Sequence, residues 1–305
     1  MSLLSTNAIR GFVAPLPTVF DGAGAVDDGL NRDVAEFYIE AGVNALFLLG
    51  SYGQGPALGV ADRERVARVV VDQARGRLPV VVHIGAVDPY TTIELGLHAR
   101  DLGVDAVAIV GPYYYADRSE EELLRHFEMV DQALQVPILI YNNPRYQGYP
   151  IDPQLMGRLV SVAPRIFGAK LALGTLDDAL DFVREIPGFA PFALASVLLK
   201  GMPLGVRGTV SPPLTLAPEL GVSLIGAIDG GRADEARELQ AQVTELNETM
   251  IRLSKRYGRT PYAEGLRALG FPIRQYPRWP TVPMPAGERD ELLGQLRLAR
   301  SVPAA

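Results

Sequence analysis

Ile166-Phe167-Gly168-Ala169-Lys170-Leu171-Ala172-Leu173 is a strand-sized apolar run interrupted by a single lysine. Continuous runs of this kind mark strands covered on both faces, whereas a strand with one wet face alternates apolar and polar residues. The lysine is unusual for this chain. Only Lys170, Lys200 and Lys255 are lysines, against 26 arginines. Arginine stays protonated in proteins, whereas a lysine amine loses its proton readily once desolvated. A neutral amine can attack a carbonyl carbon and form a Schiff base. The plain alternative is a genome that favours arginine codons, with Lys170 reaching out from the end of a strand.

Working outward from that run, seven more of strand length appear, at 12–19, 43–49, 79–84, 105–110, 137–141, 189–194 and 205–210, with 166–171 sixth in order. Helical patterns lie between them. In 61–75, Val66, Val69 and Val70 fall on one side and Arg63, Glu64, Arg68 and Asp72 on the other. Gly or Pro marks most crossings, among them Gly42, Gly76, Gly103, Pro164 and Gly188. Eight strands separated by helix-length segments predict a (β/α)8 TIM barrel, with a doubly wound sheet as the rival. Beyond Ser211 the strand pattern stops. Helices are expected at 218–227, 233–257 and 287–301, with a Pro-rich crossing at 272–285. The expected organisation is a barrel over residues 1–215 carrying the active site and a C-terminal helical extension over 216–305.

With 305 residues, 48% of them hydrophobic, the chain can bury a core of that size. The net charge of −6 argues against nucleic acid or an anionic membrane as partner. The absence of cysteine rules out disulfides, thiolate catalysis and cysteine metal sites. Met1-Ser2-Leu3-Leu4-Ser5 lacks the features of a secretory signal, and no apolar run is long enough for a membrane span. A cytoplasmic protein acting on a small molecule is expected.

In such a barrel, chemistry sits at the C-terminal ends of the strands. Four segments fall there. Gly50-Ser51-Tyr52-Gly53-Gln54-Gly55-Pro56 can aim backbone N–H groups and hydroxyls at a carboxylate, or be a plain Gly-rich turn. Gly111-Pro112-Tyr113-Tyr114-Tyr115 reads as loop packing or an oligomer contact. Tyr141-Asn142-Asn143-Pro144 ends the fifth run with a phenol that can pass a proton. Lys170 ends the sixth, one strand away from Tyr141. The three histidines, His83, His98 and His126, do not have the spacing of a zinc site, so no metal or other cofactor is expected. His126 reads as structural, and His83 as lying in or near the barrel. Gly22-Ala23-Gly24 reads as a turn.

Taken together, these segments resemble the dihydrodipicolinate synthase/N-acetylneuraminate lyase superfamily of class I, pyruvate-handling aldolases. The likeness runs in order from Pro15-Leu16-Pro17-Thr18 to Gly208-Thr209-Val210-Ser211. The resemblance implies that Lys170 is the Schiff-base lysine and Tyr141 the proton-transferring phenol. It implies that Ser51, with neighbouring backbone N–H groups, holds the pyruvate carboxylate. Val210 matches a residue whose backbone carbonyl lines the pocket. Tyr114 matches the tyrosine that reaches a neighbouring subunit's site, so a homo-oligomer, tetramer or dimer, is expected.

Two departures bear on substrate. Tyr52 and Gln54 stand where the family has Thr and Glu. Tyr52 must therefore fill part of the substrate pocket or supply its own phenol. Tyr146 stands where the synthase branch has an arginine for a second carboxylate, with Arg145 one residue early, which argues against the synthase. Gly53-Gln54-Gly55-Pro56-Ala57-Leu58, Gln147-Gly148-Tyr149-Pro150-Ile151-Asp152 and Phe271-Pro272-Ile273-Arg274-Gln275-Tyr276-Pro277-Arg278 look instead like 2-keto-3-deoxygluconate aldolases. The implied function is a lyase for a 2-keto-3-deoxy sugar acid or a similar 4-hydroxy-2-oxo acid, with pyruvate as product. A dehydratase of a keto-deoxy sugar acid, a hydratase-aldolase of aromatic substrates and a non-catalytic oxo-acid-binding barrel are the alternatives.

Overall fold

The computed structural model describes residues 6–172 and 174–302. Residues 1–5 and Leu173, used above for the absent signal and the end of the sixth run, lie outside the described residues. Eight strands form one closed parallel barrel in sequence order. They are β1 (Gly11–Pro15), β2 (Ala45–Leu48), β3 (Val80–His83), β4 (Ala106–Val110), β5 (Ile138–Asn142), β6 (Ile166–Leu171), β7 (Ala190–Ala193) and β8 (Gly208–Thr209). The connecting helices are α1 (Asp28–Glu40), α2 (Val60–Ala74), α3 (Pro89–Asp101), α4 (Glu120–Leu134), the one-turn α5 (Pro144–Gln147), α6 (Pro153–Val162), α7 (Leu176–Glu185) and the short α8 (Leu198–Gly201).

Successive side chains of a strand point to opposite faces, and both faces are dry here. Val13, Phe47, Val81, Ala108, Leu139 and Phe192 fill the lumen as one apolar cluster. Their neighbours Phe12, Leu46, Val82, Val107 and Ile138 belong to the outer cluster beneath the helices. This is why the runs read as continuous rather than alternating. The same parity decides the site: counting by twos from Val81 and Leu139 brings His83 and Tyr141 into the lumen. Closure depends on glycine. At the β1–β8 seam Gly11 pairs with Gly208, and a Cβ on Gly208 would lie 2.1 Å from the Gly11 carbonyl oxygen.

After the barrel come α9 (Pro218–Asp229), α10 (Ala233–Tyr257), α11 (Thr260–Ala268) and α12 (Ala286–Arg300). α9 packs along β1, where Gly221 leaves room for the Phe12 ring. α11 was not expected from the sequence. Pro261, which reads as a breaker, sits in its first turn, where a missing N–H costs nothing. A second difference is Arg63: assigned to the wet side of its helix, it is buried and donates to the carbonyls of His83 and Gly85 at 2.9 and 3.2 Å.

Candidate active site

Tyr141 and Lys170 are register partners on β5 and β6. Lys170 is only 7% exposed. Its Nζ lies 4.0 Å from the centre of the Tyr141 ring and 5.0 Å from that of Phe47. Among the described residues no carboxylate pairs with it, so the amine rests on aromatic faces deep in the mouth. The Tyr141 hydroxyl is 3.0 Å from Ser51 Oγ and accepts a hydrogen bond from Asn143 Nδ2, also at 3.0 Å. Burial pushes the Tyr141 phenol up, but the Lys170 charge and the hydrogen bonds of Ser51 and Asn143 outweigh it, and its pKa lies below the ordinary tyrosine value. The structure thus brings Lys170, Tyr141 and Ser51 together.

His83 closes the floor of this group. Its ring meets the Tyr141 ring edge-to-face at 6.0 Å, and its Nε2 accepts from the Val110 N–H at 3.1 Å. Burial above all, with the Arg63 and Lys170 charges, holds its pKa well below the ordinary histidine value. A neutral imidazole that accepts at Nε2 carries its proton on Nδ1.

The turn bearing Ser51 is folded tightly onto β2. A Cβ on Gly55 would fall 1.9 Å from the Leu49 carbonyl oxygen, so the chain can return over itself only with glycine there. Thr18 Oγ1 donates to the Gly53 carbonyl at 2.6 Å. The remaining supports come from the C-terminal segment. Arg259 Nη2 donates to the Ser51 carbonyl at 3.3 Å, Tyr276 Oη to the Tyr52 carbonyl at 3.0 Å, and the Arg278 N–H to Gln54 Oε1 at 2.7 Å.

Tyr52 is not brought to Lys170. Its side chain is 2% exposed and packs between the rings of Tyr262 and Tyr276, at 5.1 and 5.7 Å. Its hydroxyl lies 3.3 Å from Thr215 Oγ1. Burial, reinforced by the neighbouring phenols, pushes its pKa well above the usual tyrosine value. A phenol so buried and partnered anchors the turn to the C-terminal helices. Gln54 likewise serves the turn: its amide faces the Thr18 carbonyl and the Arg278 N–H, one needing a donor and the other an acceptor. Only an amide offers both, which accounts for Gln in place of Glu.

Tyr114 is 82% exposed, at a left-handed φ of 74°, with its ring edge-to-face on Tyr115. Within one chain it is not part of the Lys170 group. Val210 lies just past β8, buried among the lumen residues. Sequence reasoning missed Asn143 as a partner of the phenol, although it stands two residues from Tyr141. It also missed the supports at Arg259, Tyr276 and Arg278. The last two lie in a stretch whose likeness to the keto-deoxygluconate aldolases was noted without a role.

A closed parallel barrel with a buried lysine and a phenol at its C-terminal mouth defines the class. Residues 8–298 match the family model described as the dihydrodipicolinate synthetase family. The chain is 32% identical over 249 residues to the 4-hydroxy-tetrahydrodipicolinate synthase of Methanopyrus kandleri, covering 80% of this chain and 82% of that protein. It is 28% identical over 301 residues to the putative 2-dehydro-3-deoxy-D-gluconate aldolase YagE of Escherichia coli, covering 94% and 97%. The crystal structure of YagE in complex with pyruvate superposes with a TM-score of 0.88 at 26% identity, over 96% of this chain and 99% of that one. The dihydrodipicolinate synthase of Aquifex aeolicus gives 0.86 at 26% identity, over 95% and 98%. The protein belongs to the dihydrodipicolinate synthetase family, whose members are lyases and aldolases. Among the described residues no helix is long and apolar enough to cross a membrane.

Proposed function

We propose that the protein is a Schiff-base aldolase that cleaves or forms a 2-keto-3-deoxy sugar acid or a related 4-hydroxy-2-oxo acid, with pyruvate as the common product. The observation that carries this reading is the Lys170 amine, buried 4.0 Å from the Tyr141 ring centre and, among the described residues, paired with no carboxylate. Lys170 adds to C2 of the oxo acid, and loss of water leaves a protonated imine. Tyr141 takes the proton of the C4 hydroxyl as the C3–C4 bond breaks and its electrons flow into the imine. The aldehyde departs, C3 of the enamine takes up a proton, and water releases pyruvate and the free amine. Ser51 and the N–H groups of its turn receive the carboxylate, beside the phenol that Ser51 contacts. The Val210 backbone carbonyl lines the pocket, and Tyr114 completes the site of a neighbouring subunit in a cytoplasmic homo-oligomer.

The identity to the Methanopyrus synthase favours a second reading, the synthase reaction. Tyr146 at the position of the synthase arginine speaks for the aldolase. The test is incubation with pyruvate, borohydride reduction and peptide mass spectrometry, followed by product analysis on 4-hydroxy-2-oxo acids. A reduced pyruvate adduct on Lys170, with pyruvate and an aldehyde among the products, is the expected outcome. No adduct, or one on Lys200 or Lys255, overturns the mechanism. An adduct with water loss in place of carbon–carbon cleavage makes the enzyme a dehydratase.

A further inference from the structure

Tyr141, Lys170 and Phe192 are register partners across β5, β6 and β7. Two residues further along these strands stand Asn143, Ala172 and Leu194. On β8 the row continues to Val210, one step past the Ala193–Thr209 pair. Each of these residues faces the barrel axis. Asn143 does so because its Nδ2 reaches the Tyr141 hydroxyl at 3.0 Å. At Ala172 the ladder still holds, its N–H donating to the Asn142 carbonyl at 3.1 Å, and Leu171 before it belongs to the outer cluster. Ala193 and Ala195, on either side of Leu194, also belong to the outer cluster, while Phe192 fills the lumen. The backbone at Leu194 is extended, with φ −62° and ψ 144°, so its side chain points opposite to theirs, over the lumen. Val210 lies in the lumen cluster itself.

This row changes character across Lys170. On the β5 side, Tyr141 and Asn143 present a phenol and an amide, with Ser51 against the phenol. On the other side, Ala172, Leu194 and Val210 present no side-chain donor or acceptor. Leu194 is nevertheless 39% exposed, so an aliphatic side chain meets the open mouth one layer above the amine. With the oxo-acid carboxylate at Ser51 and the C4 oxygen at Tyr141, the polar corner is taken. What remains for the rest of the aldehyde half is the β6–β8 flank. Hydroxyls laid on that flank would lose water without a side chain to replace it, whereas an alkyl or aryl group would leave water together with Leu194.

We propose that Leu194 is a specificity-determining residue, and that the wall of Ala172, Leu194 and Val210 receives an apolar aldehyde half. The inference rests on the Schiff-base reading and narrows its substrate class. Between keto-deoxy sugar acids and related 4-hydroxy-2-oxo acids it selects the second, those carrying an alkyl or aryl group on C4.

The test compares cleavage of 4-hydroxy-2-oxohexanoate, the pyruvate adduct of propanal, with that of its 5,6-dihydroxy counterpart, the adduct of glyceraldehyde. The two share one carbon skeleton and differ only in two hydroxyls. The full-length protein, Leu194→Ser and Leu194→Met are assayed on both, and because Leu194 is exposed both substitutions are expected to leave folding unchanged. In the wild type kcat/KM is expected to favour the propanal adduct by about ten-fold or more, and Leu194→Ser to lower that preference about ten-fold, the scale of one contact in an apolar pocket. Leu194→Met, which keeps an apolar side chain of similar volume, is expected to retain it. A wild type that prefers the dihydroxy substrate, or a Leu194→Ser that changes both rates equally, overturns the proposal. So does a Leu194→Ser that alters the oligomeric state and leaves the ratio in place, which makes Leu194 a contact between subunits. Pyruvate trapping on Lys170 separates this inference from its foundation. An adduct in a wild type without apolar preference removes only the inference, and no adduct in the wild type removes the mechanism beneath it.

Discussion

The two sides of the barrel mouth are held in different ways. On one, Tyr141 and Lys170 are adjacent register partners on β5 and β6, and strand parity alone turns both side chains inward. On the other, Ser51 rides on a glycine-rich turn whose supports lie 208 and 224 residues further along the chain, at Arg259, Tyr276 and Arg278. The Tyr141–Lys170 pair is built locally and the turn beside it is built from a distance. Damage to the first side should strike chemistry, and damage to the second should strike stability and substrate affinity together.

The largest effect belongs to the local side. Lys170→Ala is expected to abolish the pyruvate adduct and lower kcat by about four orders of magnitude or more, as loss of a covalent nucleophile does. Its melting temperature should stay at or above that of the wild type, because the variant removes a buried amine that, among the described residues, pairs with no carboxylate. Residual cleavage with an adduct at another lysine would break the comparison at its root.

Next comes Tyr141→Phe, expected to lower kcat by about 10²- to 10⁴-fold while leaving the adduct detectable, since proton transfer rather than imine formation is lost. The phenol also sets a pH signature. Its pKa lies below the free tyrosine value because the Lys170 charge, Ser51 and Asn143 outweigh burial. The rising limb of the kcat/KM profile for cleavage, where the phenol gives up its proton and becomes the base, should therefore appear below the pH of free tyrosine ionisation. Asn143→Ala removes a donor to the hydroxyl and should move that limb to higher pH. A limb that stays in place shows that another group titrates there.

How far the molecule could be read from its sequence follows the same divide. The barrel, the order of its strands and the pairing of Tyr141 with Lys170 were legible because each depends on residues within one strand and on a period of two. Ser51 was legible through its position after β2. The packing of Tyr52 was not legible because it is set by Tyr262 and Tyr276, which no local pattern connects to it. Arg63 was misread because the acceptors that draw it inward, the His83 and Gly85 carbonyls, lie on another element. Helix α11 was missed; its Pro261 occupies the first turn, where no N–H is needed.

The distant side has its own tests, smaller in rate and larger in stability. Tyr52→Thr restores the residue usual in the family, yet here it should destabilise the protein by about 3 kcal/mol, since it empties a packed aromatic site. Tyr276→Phe leaves the buried Tyr52 carbonyl without its donor, at a cost of about 1–3 kcal/mol. Thermal or denaturant unfolding measures both. The KM for the oxo acid should rise in each, because the turn that holds Ser51 loses a support. If kcat alone changed in Tyr276→Phe, the segment would act on chemistry rather than through the turn.

The smallest stability effect is expected at Tyr114, and it probes whether the mouth is complete within one chain. With 82% of its surface exposed and no hydrogen bond to the barrel among the described residues, Tyr114→Phe should change unfolding free energy by less than about 0.5 kcal/mol. Its effect on turnover depends on where the hydroxyl works. If it serves the site of a neighbouring subunit, Tyr114→Phe lowers kcat without altering the adduct on its own Lys170. Tyr114→Phe and Lys170→Ala chains, each impaired, should then regain activity when denatured and refolded together, because a mixed oligomer pairs an intact Lys170 with an intact Tyr114 across one interface. Recovery would add a third source of parts to the mouth, neither local nor distant in the chain but from another copy of it. A mixture no more active than the sum of its separate components would leave Tyr114 as a surface aromatic, and the site would be the work of a single barrel.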